Sequence, residues 1–200
     1  GAASVHPLDD RRGEARERTH VAHAVPRVTL AGPLTLGFVA FAAAALGLRA
    51  AIVMPASTPA NYLDATRGYG AEIVMASDIR AAFAEAERLR GDGLVMVHPF
   101  DDLLVAAGQG TVGLEILEDL PNFDRLYVSI GGGGLIAGVA RAVRSIRPDA
   151  RIFGVETRGA DAMAQAISAG RIVELPAITS IARTLGAPKV CDFTLNAVRE

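Results

Sequence analysis

From Thr29 onward the chain switches between two hydrophobic periods, and the switching predicts its architecture. Short alternating or continuous apolar runs read as strands, while longer runs with apolar positions three and four apart read as helices. Residues 34–47 predict a helix closed by Gly47, and residues 49–54 a buried strand closed by Pro55. A helix over residues 60–69, a strand over 71–75, a helix over 79–90 and a strand over 94–97 follow. After a polar loop at residues 98–102 come a helix over 110–120 and a strand on which Leu126, Val128 and Ile130 alternate. A helix then opens at Leu135, and the series ends with a strand over residues 151–156 and a helix over 160–169. Strands and helices in such alternation specify mostly parallel sheets covered by helices. The expected fold is therefore α/β, in two open lobes that meet near residues 105–110. Residues 29–105 form the smaller lobe and residues 106–200 part of the larger one.

Residues 1–28 fall outside this pattern. They hold charges of both signs and no aromatic residue, so they read as a solvated arm. His6, His20 and His23 lie there without the Cys or carboxylate spacing of a metal site. The whole chain is 50% hydrophobic over 200 residues. A chain of that size can bury roughly 70% of its unfolded surface, which excludes disorder throughout. A net charge of −2, with no aromatic residues interleaved among basic ones, argues against nucleic acid and points to a small ligand. The longest apolar run, residues 34–48, stops at Arg49, short of the roughly 18–20 residues of a membrane span. It is expected to be a buried helix, with no membrane partner. Cys191 is the single cysteine; it reads as buried apolar filler. One cysteine and no signal-peptide pattern fit a reducing cytoplasm.

Residues 131–134 are the candidate chemistry. Gly131, Gly132, Gly133 and Gly134 connect the strand ending at Ile130 to the helix opening at Leu135. Without side chains, their N–H groups can approach a ligand closely and take φ values closed to other residues. The helix start adds its own unpaired N–H groups and the positive end of its dipole. Together these form a phosphate cradle. Each N–H bond to a charged phosphate contributes roughly 1.5–3 kcal/mol, so no basic side chain is required. On this reading Gly132→Val would put a branched side chain into the cradle and exclude φ > 0. Two other readings share the pattern. A glycine run can simply be a tight turn that lets strand and helix pack. Gly132, Gly134 and Ala137 also fit G-x-G-x-x-A, with Glu156 at the end of the next strand, which is a dinucleotide fingerprint.

Longer strings separate these readings. H-P-F-D-D-L-L-V-A-A-G-Q-G-T-V-G-L-E-I at residues 98–116 and S-I-G-G-G-G-L-I-A-G at residues 129–138 resemble the serine/threonine dehydratase family of pyridoxal-phosphate enzymes, the fold-type-II relatives of serine racemase. I-V-M-P-A-S-T-P-A-N at 52–61, D-A-T-R-G-Y-G-A-E-I-V at 64–74 and T-S-I-A-R-T-L-G-A-P at 179–188 match in family order. The resemblance runs from about residue 30 onward and outweighs the dinucleotide fingerprint. It implies two parallel α/β lobes of the fold-type-II kind, incomplete at both ends, and pyridoxal 5'-phosphate as cofactor, its phosphate on Gly131, Gly132, Gly133 and Gly134. It also implies an amino-acid substrate and a homo-oligomer. The family reaction converts L-threonine or L-serine to a 2-oxo acid and ammonia.

The same resemblance marks departures. The family's Schiff-base lysine lies in an S-F-K-x-R-G motif that this chain does not contain; Lys189 is its one lysine, at a place with no family role, so no catalytic residue is assigned. Where the family has S-x-G-N-H, this chain reads Leu30, Ala31, Gly32, Pro33 and Leu34. Pro33 stands for the Asn and Leu34 for the His, and Pro33 also removes an N–H from a helix start. The partner of the pyridine nitrogen falls beyond the position of Glu200. Glu156 matches a carboxylate that in some relatives shares a divalent cation with a carbonyl, here that of Ala160. Ala162 replaces the next acidic ligand, with Asp161 adjacent, and hard cations need several oxygen donors. Asp101 and Asp102 are an acid/base pair or, as such residues favour, a turn and helix start. The expectation is a dehydratase chain that does not turn over as it stands: a fragment, a frameshifted product or a non-catalytic relative. The alternatives are a phosphate-binding or interaction module and a dinucleotide binder.

Overall fold

The computed structural model describes residues 27–31, 36–182 and 186–199. Strands β1 (Arg27–Ala31), β2 (Arg49–Pro55), β3 (Glu72–Ala76) and β4 (Val95–Met96) form one sheet in the order β3-β2-β1-β4. Strands β5 (Arg125–Ser129) and β6 (Arg151–Val155) form a second. Every pairing is parallel, as the βα alternation requires. The arm expected over residues 1–28 overlaps β1: Arg27 and Val28 pair with Arg49 and Ala50. Main-chain pairing with β2 overrides their lack of a local pattern. His6, His20, His23 and the Gly32-Pro33-Leu34 stretch lie outside the described residues.

Strand β2 is the centre of the first sheet and is buried from Ala50 to Pro55. Its alternate residues serve two faces. Ile52 and Met54 pack with Ala40 and Ala43 of α1 (Leu36–Ala45), while Val53 packs with Ala82 and Ala86 of α3 (Ile79–Gly91). A strand covered on both sides needs a continuous apolar run, which is how β2 reads. Helix α1 stops at Gly47 as expected. The Gly47 φ is 65°, its N–H donates to the Ala44 carbonyl at 3.1 Å, and the Leu48 N–H donates to Ala43 at 2.8 Å. These paired bonds are a left-handed helix stop that suits glycine. Helix α2 (Ala60–Gly68) lies between β2 and β3. No helix among the described residues is long and apolar enough to cross a membrane.

Helix α4 (Leu103–Asp119) begins well before the expected Gly110. Asp102 starts it, its Oδ1 accepting from the Leu104 N–H at 2.8 Å and the Val105 N–H at 3.3 Å. Gly110 and Gly113, which fall inside the expected helix, form its contact face with α5 (Gly134–Ile146). A Cβ on Gly110 would sit 3.2 Å from the Gly138 carbonyl oxygen, and one on Gly113 3.1 Å from that of Val139. A Cβ on Gly138 would overlap the Ala106 carbonyl. Small residues thus let the two helices approach backbone to backbone, which seats the start of α5 against the turn before α4.

Helix α6 (Ala162–Ala169) starts later than expected, because residues 157–160 form a tight turn closed by the Ala160 N–H on the Thr157 carbonyl at 2.9 Å. Helix α7 (Asp192–Arg199) has no counterpart in the sequence reading. Val128 and Ile130 of the second sheet pack with Ile136, Val139 and Val143 of α5, Met163 of α6 and Leu195 of α7. The opposite face of that sheet carries Tyr127 and Phe153, stacked at 5.2 Å and 60% and 41% exposed.

Candidate functional site

The Ile130 N–H donates to the Val155 carbonyl at 2.8 Å, so the chain leaves the sheet in register before the glycines begin. Gly133 then caps α5 with φ 95° and no side-chain bond. Among the described residues, the N–H groups from Gly131 to Ile136 donate to no protein acceptor. Gly133, Gly134 and Ile136 are buried, and buried N–H groups without partners are costly.

Other helix starts differ. Asp78 caps α3, accepting from the Ala81 N–H at 2.9 Å, and its carboxyl is held below the usual range chiefly by that bond. Asp102 caps α4. At α6, Glu156 reaches across from the end of β6, with Oε1 on the Met163 N–H at 2.9 Å and Oε2 on the Ala164 N–H at 2.7 Å. Burial raises its carboxyl pKa, and the two N–H bonds oppose that shift. Helix α2 also starts without a side-chain cap, but Pro59, Ala60 and Asn61 are exposed, so water can serve it. The start of α5 is therefore buried and, among the described residues, lacks the carboxylate that α3, α4 and α6 have.

The walls of this loop come from far along the chain. A Cβ on Gly132 would lie within the Phe100 ring, and one on Gly134 would be 2.9 Å from the Phe100 Cα. A Cβ on Gly133 would meet Thr194 Cβ at 2.7 Å and Met163 Cε at 2.9 Å. Phe100 is held by a turn on His98, whose Nδ1 accepts from the Asp101 N–H at 2.8 Å and the Phe100 N–H at 3.3 Å. The imidazole stacks on Phe83 at 5.4 Å and meets Phe100 edge-on at 4.6 Å. Burial lowers the His98 pKa, against the pull of Asp101, Glu87 and Asp102, so the neutral acceptor form is favoured. On the opposite side, the Thr194 hydroxyl donates to the Gly132 carbonyl at 2.8 Å.

Several expectations find their places here. Asp102 is a helix cap and Asp101 an exposed turn residue. Cys191 is half-buried, its Sγ 3.4 Å from the Thr194 Oγ1, and burial raises its thiol pKa. Lys189 is exposed. Glu156, the residue that completes the dinucleotide fingerprint, is engaged at the start of α6, as are both oxygens that a cation would use. Asp161 accepts from the Gln165 Nε2 at 3.3 Å, Ala162 is buried, and among the described residues no three His, Cys, Asp or Glu side chains gather as metal ligands. Phe100, Met163 and Thr194 escaped the sequence reading as site residues. Phe100 stood in a quoted motif, but no local signal marked Met163 or Thr194.

Unpaired N–H groups at a buried helix start, in a cradle where a Cβ would overlap its walls, suit a phosphate better than any cation. The class is thus a parallel α/β protein with unpaired main-chain donors at a strand-to-helix turn, an arrangement that suits a phosphate. Residues 37–200 match the pyridoxal-phosphate dependent enzyme family, and the chain belongs to it. It is 43% identical over 166 residues to an L-threonine ammonia-lyase of Geobacter sulfurreducens, covering 81% of this chain and 41% of that protein. It is 42% identical over 164 residues to a serine racemase of Oryza sativa subsp. indica, covering 81% and 48%. Maize serine racemase superposes with a TM-score of 0.81 at 38% identity, over 86% of this chain and 53% of that one. The processed form of threonine deaminase isoform 2 from Solanum lycopersicum gives 0.80 at 34%, over 88% and 49%. The fold is that of fold-type-II pyridoxal-phosphate enzymes, and the chain spans about half the length of these relatives.

Proposed function

We propose that Gly131, Gly132, Gly133, Gly134 and the first turn of α5 hold the phosphate of pyridoxal 5'-phosphate, in a chain of the lyase type that converts L-threonine or L-serine to a 2-oxo acid and ammonia, and that these 200 residues do not turn over by themselves because they lack the family's Schiff-base lysine motif. The observation that carries this is the set of N–H groups from Gly131 to Ile136, at a buried helix start, that have no partner among the described residues. The bound cofactor supplies an electron sink for the amino acid's α-carbon. This chain's part is to bind and orient. Main-chain N–H groups take the phosphate charge, while the Phe100 ring and the Met163 methyl close the loop against water. A separate cleft of about 830 Å³ is lined by Ser57, Thr58, Ser77 and Arg80 beyond the ends of β2 and β3 and by Thr179 opposite, and it includes none of the residues from Gly131 to Ile136. The Thr58 hydroxyl there is buried and has no partner among the described residues.

Proton transfer at the α-carbon is not assigned to any residue of this chain. Lys189 is exposed, at a place to which the resemblance gives no role. We place the reading in a reducing cytoplasm because a single cysteine fits one; self-association belongs to it by resemblance alone. A divalent cation at Glu156 and Ala160 is left out, since both carboxylate oxygens already accept N–H bonds.

The test titrates inorganic phosphate and pyridoxal phosphate into the protein while following backbone amide shifts, then reduces the cofactor mixture with borohydride. The expected result is saturable movement of the amides from Gly131 to Ile136 without stoichiometric labelling of a lysine. A folded protein whose loop amides stay still would end the phosphate reading. Labelled Lys189 with turnover of threonine or serine would end the non-catalytic part. A nicotinamide dinucleotide that competes at lower concentration than pyridoxal phosphate would favour the dinucleotide alternative.

A further inference from the structure

We infer that Thr194 is a positioning residue for the phosphate cradle: by holding the Gly132 carbonyl, its hydroxyl aims the Gly133 N–H at the anion. The inference rests on the phosphate reading above. Thr194 is fully buried on α7, 62 residues along the chain from the loop it touches. A hydroxyl has one proton to donate. The Gly132 carbonyl at 2.8 Å is a nearer acceptor than the Cys191 carbonyl at 3.2 Å, so that proton belongs to Gly132. The same oxygen accepts from the Cys191 N–H at 3.3 Å, and its donor and acceptor needs are both met.

In a planar trans peptide the C=O and the N–H point in opposite directions. Drawing the Gly132 oxygen toward α7 therefore directs the Gly133 N–H away from α7, where no protein group among the described residues accepts it. Glycine flanks this peptide on both sides, so sterics alone would let it rotate. The hydroxyl selects one orientation. It also explains the side of Gly133: a Cβ there would be 3.0 Å from Thr194 Oγ1, so the anchor and the glycine require each other.

Thr194→Val keeps the shape and removes the donor; Thr194→Ser keeps the donor. Inorganic phosphate and pyridoxal phosphate are titrated into the 200-residue chain and each variant, with the Gly133 amide followed by NMR and the thermal midpoint measured alongside. We expect Thr194→Val to bind phosphate at least fivefold more weakly, with the Gly133 amide no longer following the titration, and Thr194→Ser to stay within twofold of the parent. A merely structural role would lower the midpoint of Thr194→Val and leave the affinity of the folded protein unchanged. Should Thr194→Val not fold, Thr194→Cys, a weaker donor of similar size, is expected to bind at least threefold more weakly than Thr194→Ser. Affinity within twofold of the parent in Thr194→Val, or equal affinities for Cys and Ser, would overturn the inference while the phosphate reading stands. A folded parent whose amides ignore phosphate removes the phosphate reading itself, and this inference with it.

Discussion

Gly132 and Gly133 are adjacent and lack side chains for different reasons. The expectation that a residue at 132 would enter the cradle and be barred by φ > 0 is corrected on both counts. Its Cβ would point into the Phe100 ring, and the positive φ belongs to Gly133 alone in this loop. Gly133→Ala is therefore the sharper substitution. Left-handed backbone costs an alanine about 1–2 kcal/mol, and the new Cβ would also press on Thr194 and Met163. A loss of at least about 2 kcal/mol in urea unfolding is expected. His98 adds a pH dependence with a definite sign. Its ordinary value is 6.5 and burial lowers it in the fold, so its contribution is present above pH 6.5 and lost as pH falls through the folded-state value. Protonation removes the Nδ1 lone pair that holds the Asp101 and Phe100 N–H groups. Urea midpoints should fall on acidification below 6.5, and His98→Asn, which keeps an acceptor, should flatten that limb. An imidazole that titrates by NMR above 6.5 would contradict this.

Helices α4 and α5 show why glycine-rich sequence can be read wrongly. Glycine lowers helix propensity by about 1 kcal/mol relative to alanine, so residues 108–113 look like a poor helix. Close packing on α5 outweighs that penalty where the facing atoms are main chain. Gly138→Leu is expected to cost about 3 kcal/mol or more, because its Cβ would overlap the Ala106 carbonyl, which cannot rotate away. Weaker phosphate binding should accompany it, since α5 carries the cradle at its start. Gly108 is the control. It is exposed, and a Cβ added there would meet nothing within 4 Å, so Gly108→Ala should stabilise by about 0.5–1 kcal/mol. Equal effects of the two substitutions in urea unfolding would refute the packing argument. Periodicity located α4 but not its start, because the capping bond of Asp102 and the glycine face are properties of the assembled pair of helices.

At the scale of the molecule, the two sheets have separate hydrophobic clusters, Ile52, Val53 and Met54 in one and Val128, Val139 and Met163 in the other. Across the cleft Arg80 donates to the Leu175 carbonyl at 2.8 Å and pairs with Glu174 at 2.7 Å. Both side chains are about half exposed, and such pairs contribute at most about 1 kcal/mol. We propose that the sheets belong to two lobes of separate stability. Native-state hydrogen exchange should give one opening free energy for β2 and β3 and another for β5 and α5, and Arg80→Ala should change neither by more than about 1 kcal/mol. A single shared value would argue for one cooperative unit. The alternation of periods in the sequence was enough to determine the parallel α/β class, the stop at Gly47 and the strand-to-helix turn at residues 131–134, and motif strings such as those at residues 98–116 and 129–138 carried the family resemblance. Each depends on residues within a few positions of one another. Only the tertiary structure decided that Phe100 and Thr194 wall the glycine loop, that Glu156 closes the start of α6, and that the start of α5 is buried and, unlike those of α3, α4 and α6, has no carboxylate among the described residues on its N–H groups. The contacts of Phe100 and Thr194 with the loop join residues tens of positions apart, and a local pattern of apolar and polar residues does not encode which distant side chain completes a turn.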